Sequence, residues 1–337
     1  MMKKFSFILP FLILFLFLGL VFTVSVILNF HSPYKGFDGE KYFTVHKGES
    51  SGKILERLYR EKIVEKQYPI KIAYAFSFKR KTLKAGVYLF NKPSSPKEIL
   101  SRLEKGDVVL LKLTLREGLT IDDYAKELAN VTGTYENFLS YMKDPTFIKE
   151  LDPNAETLEG YLLPDTYLVA PFTSEKEIIK NIVQNFILFW KKTKLDYPNA
   201  DLRKTIILSS IVEKETANHS EKSRIAGVFF NRLKLGMPLQ SDPTTIYALT
   251  RKGMYRGYLT REDLKIDDPY NTYVVNGLPL GPICFPSKET ILSVLNFEHH
   301  NYLYFVSKGD GSHYFSETID SHNRAVSKYI KNGRQKK

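Results

Sequence analysis

The apolar positions fall into two regimes. From Phe5 to Leu28 they are almost continuous, broken only by Ser6, Pro10, Gly19, Thr23 and Ser25. A helix of that length crosses a bilayer. A cleaved signal peptide carries a shorter apolar region and a small-x-small cleavage site. Neither feature is present, so residues 1–30 read as a cytoplasmic segment and an uncleaved transmembrane anchor. Lys3 and Lys4 precede the run and Lys35 and Lys41 follow it, which leaves only a weak positive-inside bias toward a cytoplasmic N-terminus. Beyond the run the pattern becomes short and periodic. Residues 31–40, with Pro33, Gly36 and Gly39, read as a linker.

The periodic part predicts a mixed α+β chain. Phe43-Thr-Val-His reads as a strand and Lys47 to Ser50 as a turn. A helix to about Arg60 follows, with Ile54, Leu55 and Leu58 inward. A second helix covers about Pro69 to Phe78, and Ala85 to Phe90 reads as a strand. Ser95-Pro96-Lys97-Glu98 is a helix start, with Gly106 as its stop. Val108 to Leu115 is a β-type run. Thr120 caps the next helix, with Asp123 three residues on, and Glu136 to Met142 is another. Leu158 to Val169 reads as turn-rich, and Ser174 to about Thr193 as a long helix. Ser220 reads as the cap of a later helix, and Asp242-Pro243 opens another. Residues 255–286, rich in Gly, Pro and Tyr, read as ordered loop around a cleft. Tyr302 to Val306 and His313 to Ser316 read as a hairpin, and Ile319 to Lys331 as the closing helix.

Phe43-Thr-Val-His-Lys-Gly48 and Leu113-Thr-Leu-Arg-Glu-Gly118 form a faint repeat, each a strand, a Gly turn, a hydroxyl cap and a helix. The first copy resembles a LysM module, a small βααβ unit that binds N-acetylglucosamine polymers. Two generic strand-turn-helix units fit the pattern equally well. The domain reading is a LysM-like module over residues 41–112 and a catalytic domain over 113–334.

The helix over residues 205–217 carries two carboxylates that cannot do the same job. At about 100° per residue, Ile207, Leu208, Ile211 and Val212 define one stripe, and Glu215 falls near its middle. Glu213 falls on the opposite side with Ser209 and Ser210, so it reads as a solvated charge. A carboxylate aimed at a core or cleft wall is costly unless paired or neutral. Desolvation raises its pKa, and an acid that keeps its proton near neutral pH can act as a general acid. A helix-terminal Glu paired to a nearby Lys or Arg is the alternative that this pattern leaves open.

Composition adds bounds. The 337 residues suffice for about two domains. A net charge of +12 suggests an acidic partner, such as nucleic acid, anionic lipid or an anionic cell-wall polymer. No basic run with interleaved aromatics singles out nucleic acid. Lys79-Arg80-Lys81 is the one short cluster and reads as a solvated basic surface. The single Cys284 excludes an internal disulfide. A large ectodomain behind a short anchor fits a bacterial envelope protein.

Candidate chemistry sits in the loops. Glu159-Gly-Tyr-Leu-Leu-Pro164-Asp165-Thr166-Tyr167, Gln240-Ser241-Asp242-Pro243-Thr244, Tyr270-Asn271-Thr272-Tyr273 and the His313 to Asn323 tail supply Tyr, Asn, Gln and Asp, a set suited to a sugar-binding cleft. Turns and caps would use the same residues. His299, His300, His313 and His322 lack metal-ligand spacing, so no metal is expected. Gly-x-Ser-x-Gly, Gly-x-x-x-x-Gly-Lys and Gly-x-Gly-x-x-Gly are all absent, and no cofactor is expected.

Ser210-Ile-Val-Glu-Lys-Glu-Thr216, Asn231-Arg232-Leu233, Gly236 to Thr244, Tyr270 to Tyr273, Gly277-Leu-Pro279, Glu159 to Thr166 and the His313 to Asn323 tail together resemble the MltG (YceG-like) endolytic murein transglycosylases. Leu280 and Phe285 depart from the family's usual Pro and Asn. The resemblance implies cleavage of the MurNAc-β-1,4-GlcNAc bond in nascent glycan strands without water, leaving 1,6-anhydro ends. It matches the catalytic acid to Glu215. Gln240, Asp242, Tyr270 and Asn271 are then expected to line the cleft, with Glu159 and Asp165 as supporting or binding groups. It further implies a single-pass protein of the cytoplasmic membrane with its catalytic domain outside, glycan strands as substrate and peptidoglycan synthases as candidate partners. Two alternatives stand beside it. One is a membrane-anchored scaffold that grips peptidoglycan without cutting it. The other is a hydrolytic muramidase, with Asp242 as the second carboxylate.

Overall fold

The computed structural model describes residues 5–78 and 82–331. The basic cluster Lys79-Arg80-Lys81, and Lys3 and Lys4 ahead of the apolar run, lie outside the described residues. The chain divides into two compact units, Met1–Leu111 and Lys112–Lys337.

The first unit begins with helix α1 (Phe5–His31). Its segment Leu9–His31 is long and apolar enough to cross a membrane. Strand β1 (Lys41–Val45), helices α2 (Ser51–Arg60) and α3 (Gln67–Ala73), strand β2 (Gly86–Phe90) and helix α4 (Pro96–Lys105) follow. The helix expected over Pro69 to Phe78 is α3 continued by a π-helical turn, Tyr74–Phe78. β1 and β2 pair antiparallel, with Lys41 opposite Phe90 and Val45 opposite Gly86, so the order is βααβ and then a helix. Phe43, Ile54, Leu58, Tyr88, Ile99 and Leu103 are fully buried in one core, because the period-2 and period-3.6 apolar positions meet there. Ser95 and Glu98 form the expected capping box, and Gly106 ends α4 at φ 73°.

The stretch after α1 is tied down. Tyr34 and Ser94 exchange two backbone hydrogen bonds of 3.1 Å, and the Gly36 N–H donates to the Lys62 carbonyl. Phe22 stacks on Tyr68 at 5.9 Å, and Phe30 packs against the core.

The second unit is built from β3 (Leu111–Leu115), α5 (Ile121–Ala129), α6 (Tyr135–Lys143), β4 (Asp165–Val169), α7 (Glu175–Asp196), α8 (Leu202–Glu215), α9 (Lys222–Lys234), α10 (Asp242–Arg251), α11 (Lys288–Leu295), β5 (Tyr304–Ser307), β6 (His313–Ser316) and α12 (Ile319–Val326). β3 pairs with β4, and β5 with β6 in the expected hairpin. The segment read as turn-rich therefore ends in a strand. Its residues mostly face solvent and show no inside-outside alternation, so the period-2 signal is missing. Ser220 does not cap α9. It lies in a 3-10 turn, His219–Glu221, and the Asn218 side chain accepts its N–H.

The centre of this unit is α8, which packs against α9, α10 and α11. Every residue from Thr205 to Val212 is buried. That coverage overturns the reading of Glu213, Ser209 and Ser210 as a solvated face. Both serines are fully buried. The Ser210 hydroxyl donates to the Ile207 carbonyl and accepts the Ile283 N–H. The Glu213 side chain is 5% exposed and pairs with the Lys222 ammonium at 2.8 Å, itself 1% exposed. Glu213 also accepts the Thr290 hydroxyl and the Ser287 N–H. A helix covered on several sides buries its polar face too, and that face must then find partners.

Candidate active site

Glu215 is the last residue of α8, and Thr216 leaves the helix in an extended conformation. The carboxylate therefore sits where the chain turns from the packed helix into a loop. The Ser241 hydroxyl donates to Glu215 Oε1 at 2.5 Å. Burial pushes the Glu215 carboxyl up to about 7; the Ser241 hydrogen bond opposes this, Asp242 reinforces it and Arg232 opposes it. The helix C-terminus disfavours a negative charge as well.

The neighbours are held by backbone. Gln240 has a left-handed backbone, φ 51°. Its N–H donates to the Thr272 carbonyl, and the Ser241 N–H donates to the Thr272 hydroxyl. The Thr244 and Thr272 hydroxyls share a 2.8 Å hydrogen bond. The 240–241 and 271–273 loops are thereby braced together, and Ser241 is 2% exposed and fixed. Asp242 starts α10 beside it, faces solvent and accepts the Tyr273 hydroxyl at 2.6 Å. Arg232 on α9 donates to the carbonyls of Leu239 and Leu303 and lies over the Tyr304 ring at 5.1 Å. Tyr304 in turn stacks on His322. Burial, with Arg232 nearby, lowers the His322 pKa.

Of the expected site residues, Asp242 acts electrostatically on Glu215 and Gln240 directly precedes its partner Ser241 in the chain, while the others lie elsewhere. Asn271 is fully buried and its amide is consumed internally, which corrects the expectation that it lines a cleft. It accepts the Thr245 hydroxyl and donates to the carbonyls of Leu264 and Ile266. It is a strut of the loop that carries Tyr273. Tyr270 is also mostly buried, at 6% exposure, against Tyr247 and under the Arg251 guanidinium. Glu159 joins that second cluster. Its Oε2 accepts the Tyr247 hydroxyl and the Ile121 N–H, while Oε1 has no partner among the described residues. Burial pushes the Glu159 carboxyl up to about 8. Gly160 packs against Ile206, nine residues before Glu215, so this cluster lies about 13 Å back along α8. Asp165 is half-exposed on β4 and pairs with Lys288 at 2.9 Å.

Ser241, Tyr273 and Arg232 were not singled out from sequence, although each lies inside a motif that was. Their partners come from other segments, and only the packing of α8 against α9 and α10 brings them together.

Chemically, the arrangement is one carboxylic acid that holds a proton near neutral pH. A rigid hydroxyl sits on one oxygen and an exposed second carboxylate sits close by.

The YceG-like family profile matches residues 43–328. The chain is 32% identical over 289 residues to an endolytic murein transglycosylase of Bacillus subtilis, covering 80% of this chain and 78% of that protein. It is 32% identical over 306 residues to an endolytic murein transglycosylase of Streptococcus pneumoniae, covering 79% of this chain and 55% of that longer protein. A crystal structure of a yceG-like protein from Listeria monocytogenes superimposes with a TM-score of 0.57 at 31% identity, over 85% of this chain and 99% of that one.

Proposed function

This chain belongs to the YceG-like family, and from that membership we propose an endolytic peptidoglycan lytic transglycosylase whose acid and base are both Glu215. The observation that carries the assignment of Glu215 is its half-buried carboxyl, which desolvation lifts to about 7 and which accepts the Ser241 hydroxyl. A group that must give a proton and then take one works best with a pKa near the working pH. Protonated Glu215 donates to the glycosidic oxygen as the bond to the muramyl C1 breaks. The carboxylate left behind takes the proton of the same sugar's 6-hydroxyl as that oxygen bonds to C1. Glu215 ends protonated again, no water is consumed, and the product carries a 1,6-anhydro end. Ordinary glycosidases need two carboxyl groups flanking the bond. Here the second nucleophile is supplied by the substrate.

In this reading Gln240, Asp242 and Tyr273, on the segments next to Glu215 and its partner Ser241, meet the sugars. Tyr270, Asn271 and Glu159 act from behind, by fixing the loops. With α1 as a membrane anchor and the rest outside the cytoplasmic membrane, the enzyme would meet strands as they are made, and a peptidoglycan synthase is the partner that position suits. The βααβ order of the first unit supports a LysM-like, glycan-gripping role for it.

Asp242 gives a second reading a footing, because an exposed carboxylate beside a protonated one could activate water and yield a muramidase. Mass spectrometry of glycan digested by the detergent-solubilised chain separates the two. Anhydro-muramyl ends are expected, and reducing ends would replace the transglycosylase by the hydrolase.

A further inference from the structure

A groove of about 510 Å³ runs beside the β5–β6 hairpin, and Glu215 is not among its lining residues. We propose that it holds a peptide stem of the glycan strand being cut. The proposal rests on the peptidoglycan reading above and adds the part of the substrate that the sugar-cleaving chemistry does not use.

The groove is of ligand size, and its lining is chemically mixed. Tyr302 and Tyr314 offer aromatic surface, Arg224 and Lys308 positive charge, and Glu317 negative charge. Glu298 holds the Arg224 side chain at 3.0 Å, and the guanidinium lies over the Phe315 ring at 5.3 Å, so that cation is fixed in place. The Lys308 ammonium is in no ion pair among the described residues. Beneath the wall lies Ser316, 3% exposed, with a hydroxyl that has no hydrogen-bond partner among the described residues. A buried hydroxyl without a partner is rare in a finished core, and a polar ligand arriving alongside would satisfy it.

Both signs of charge face one groove. A glycan backbone offers hydroxyls and N-acetyl groups, and its muramyl carboxyl is consumed in the amide to the stem. The stem itself carries free carboxylates together with an amine. Lys308 and Arg224 match the former and Glu317 the latter.

Position supports the same occupant. Asn231 donates to the Tyr302 carbonyl, and the next carbonyl, Leu303, accepts from Arg232, whose charge acts on Glu215. The groove residue Tyr302 is thus one residue from Leu303, which holds the arginine that acts on Glu215. Arg224 and Arg232 are eight residues apart on α9, about 12 Å along the axis. Four extended residues span roughly 13–14 Å, enough for a stem rooted at the sugar to reach.

The test uses the full chain in detergent and a fluorescent stem tetrapeptide released from peptidoglycan by an amidase. A neutral N-acetylglucosamine tetramer serves as the comparison probe. The tetrapeptide should bind wild type, and Lys308→Glu should weaken it at least tenfold while leaving the tetramer unchanged. Tyr314→Ala should weaken the tetrapeptide similarly, again sparing the tetramer. On stem-bearing strands both variants should raise KM and leave kcat alone, and on strands stripped of stems they should match wild type. A tetrapeptide that fails to bind wild type, or binds all three proteins alike, overturns the proposal. So does a variant that loses the tetramer instead, which would make the groove a sugar site. Failure of wild type to cut any strand would sink the transglycosylase reading, and the binding measurements would still decide the groove.

Discussion

The Ser241 hydroxyl donates to Glu215 Oε1 at 2.5 Å, although the two residues are 26 positions apart, one ending a helix and the other preceding the next but one. Glu215 ends α8 and Ser241 immediately precedes α10, so the pair joins the C-terminus of one helix to the N-terminus of the other. The bond stabilises the charged carboxylate, whereas burial destabilises it, and the balance sets when Glu215 carries a proton.

Glu215→Gln should abolish cleavage. The amide keeps the shape and can still accept from Ser241, but it cannot transfer a proton. Loss of acid-base catalysis typically reduces rate about 10²–10⁴-fold. Turnover of purified glycan strands, followed by chromatography of muropeptides, checks this, with circular dichroism as the control for folding. A variant with more than a tenth of wild-type turnover would remove Glu215 from the mechanism.

Two neighbours should move the pH profile in opposite directions. The alkaline limb of kcat/KM reports loss of the Glu215 proton and should fall near pH 7 in wild type. Ser241→Ala removes a bond that favours the carboxylate, so the limb should move to higher pH. Asp242→Asn removes a negative neighbour that favours the acid, so the limb should move to lower pH. Profiles measured at constant ionic strength should separate the variants. Shifts of the same sign would contradict the electrostatic account.

Lys222→Met should be among the most damaging substitutions outside the pocket. It leaves the Glu213 carboxylate buried with only a hydroxyl and one N–H. Burial alone would raise the Glu213 carboxyl; hydrogen bonds from Lys222, Thr290 and Ser287 outweigh it and hold it below the usual range. Removing one partner of such a pair costs roughly 3–5 kcal/mol. Chemical denaturation should show that loss. The double replacement Glu213→Leu with Lys222→Met should recover a good part of it.

Glu159 should make folding pH-dependent. Its folded carboxyl titrates near 8 and its unfolded one near 4.5, so the folded state holds a proton that the unfolded state releases between those values. Stability from this site is full below about pH 4.5 and falls as pH rises toward 8, by roughly 2–4 kcal/mol across the window. Glu159→Gln should flatten that dependence. Denaturation midpoints at pH 5 and pH 8 test it, and equal slopes in both proteins would count against a protonated Glu159.

Much of this molecule was readable where the signal is local. The Ser95–Glu98 and Thr120–Asp123 capping boxes each close within three residues, so the spacing alone revealed them. The α8 stripe also pointed Glu215 inward. The same reasoning failed for Glu213, because periodicity ranks the faces of a helix but does not say how many of them are covered. Glu213's partners lie 9, 74 and 77 positions away, and no window spans them. Asn271 misled for a related reason. An amide suits a sugar hydroxyl and a loop carbonyl equally well, and only the fold shows which one it meets. β4 was invisible because a short strand with both faces wet carries no alternation.

The stretch after α1 has a mechanical consequence. Two backbone bonds between Tyr34 and Ser94, a third from Gly36, and the stacking of Phe22 on Tyr68 leave no slack between that helix and the first unit. With α1 in the bilayer, as proposed here, that unit would be pinned to the spanning helix at the lipid surface and could not swing on a leash. Its altitude above the lipid would then be a constant of the molecule. Glycan would have to pass at that height to be gripped, so distance from the membrane would itself select which strands are caught.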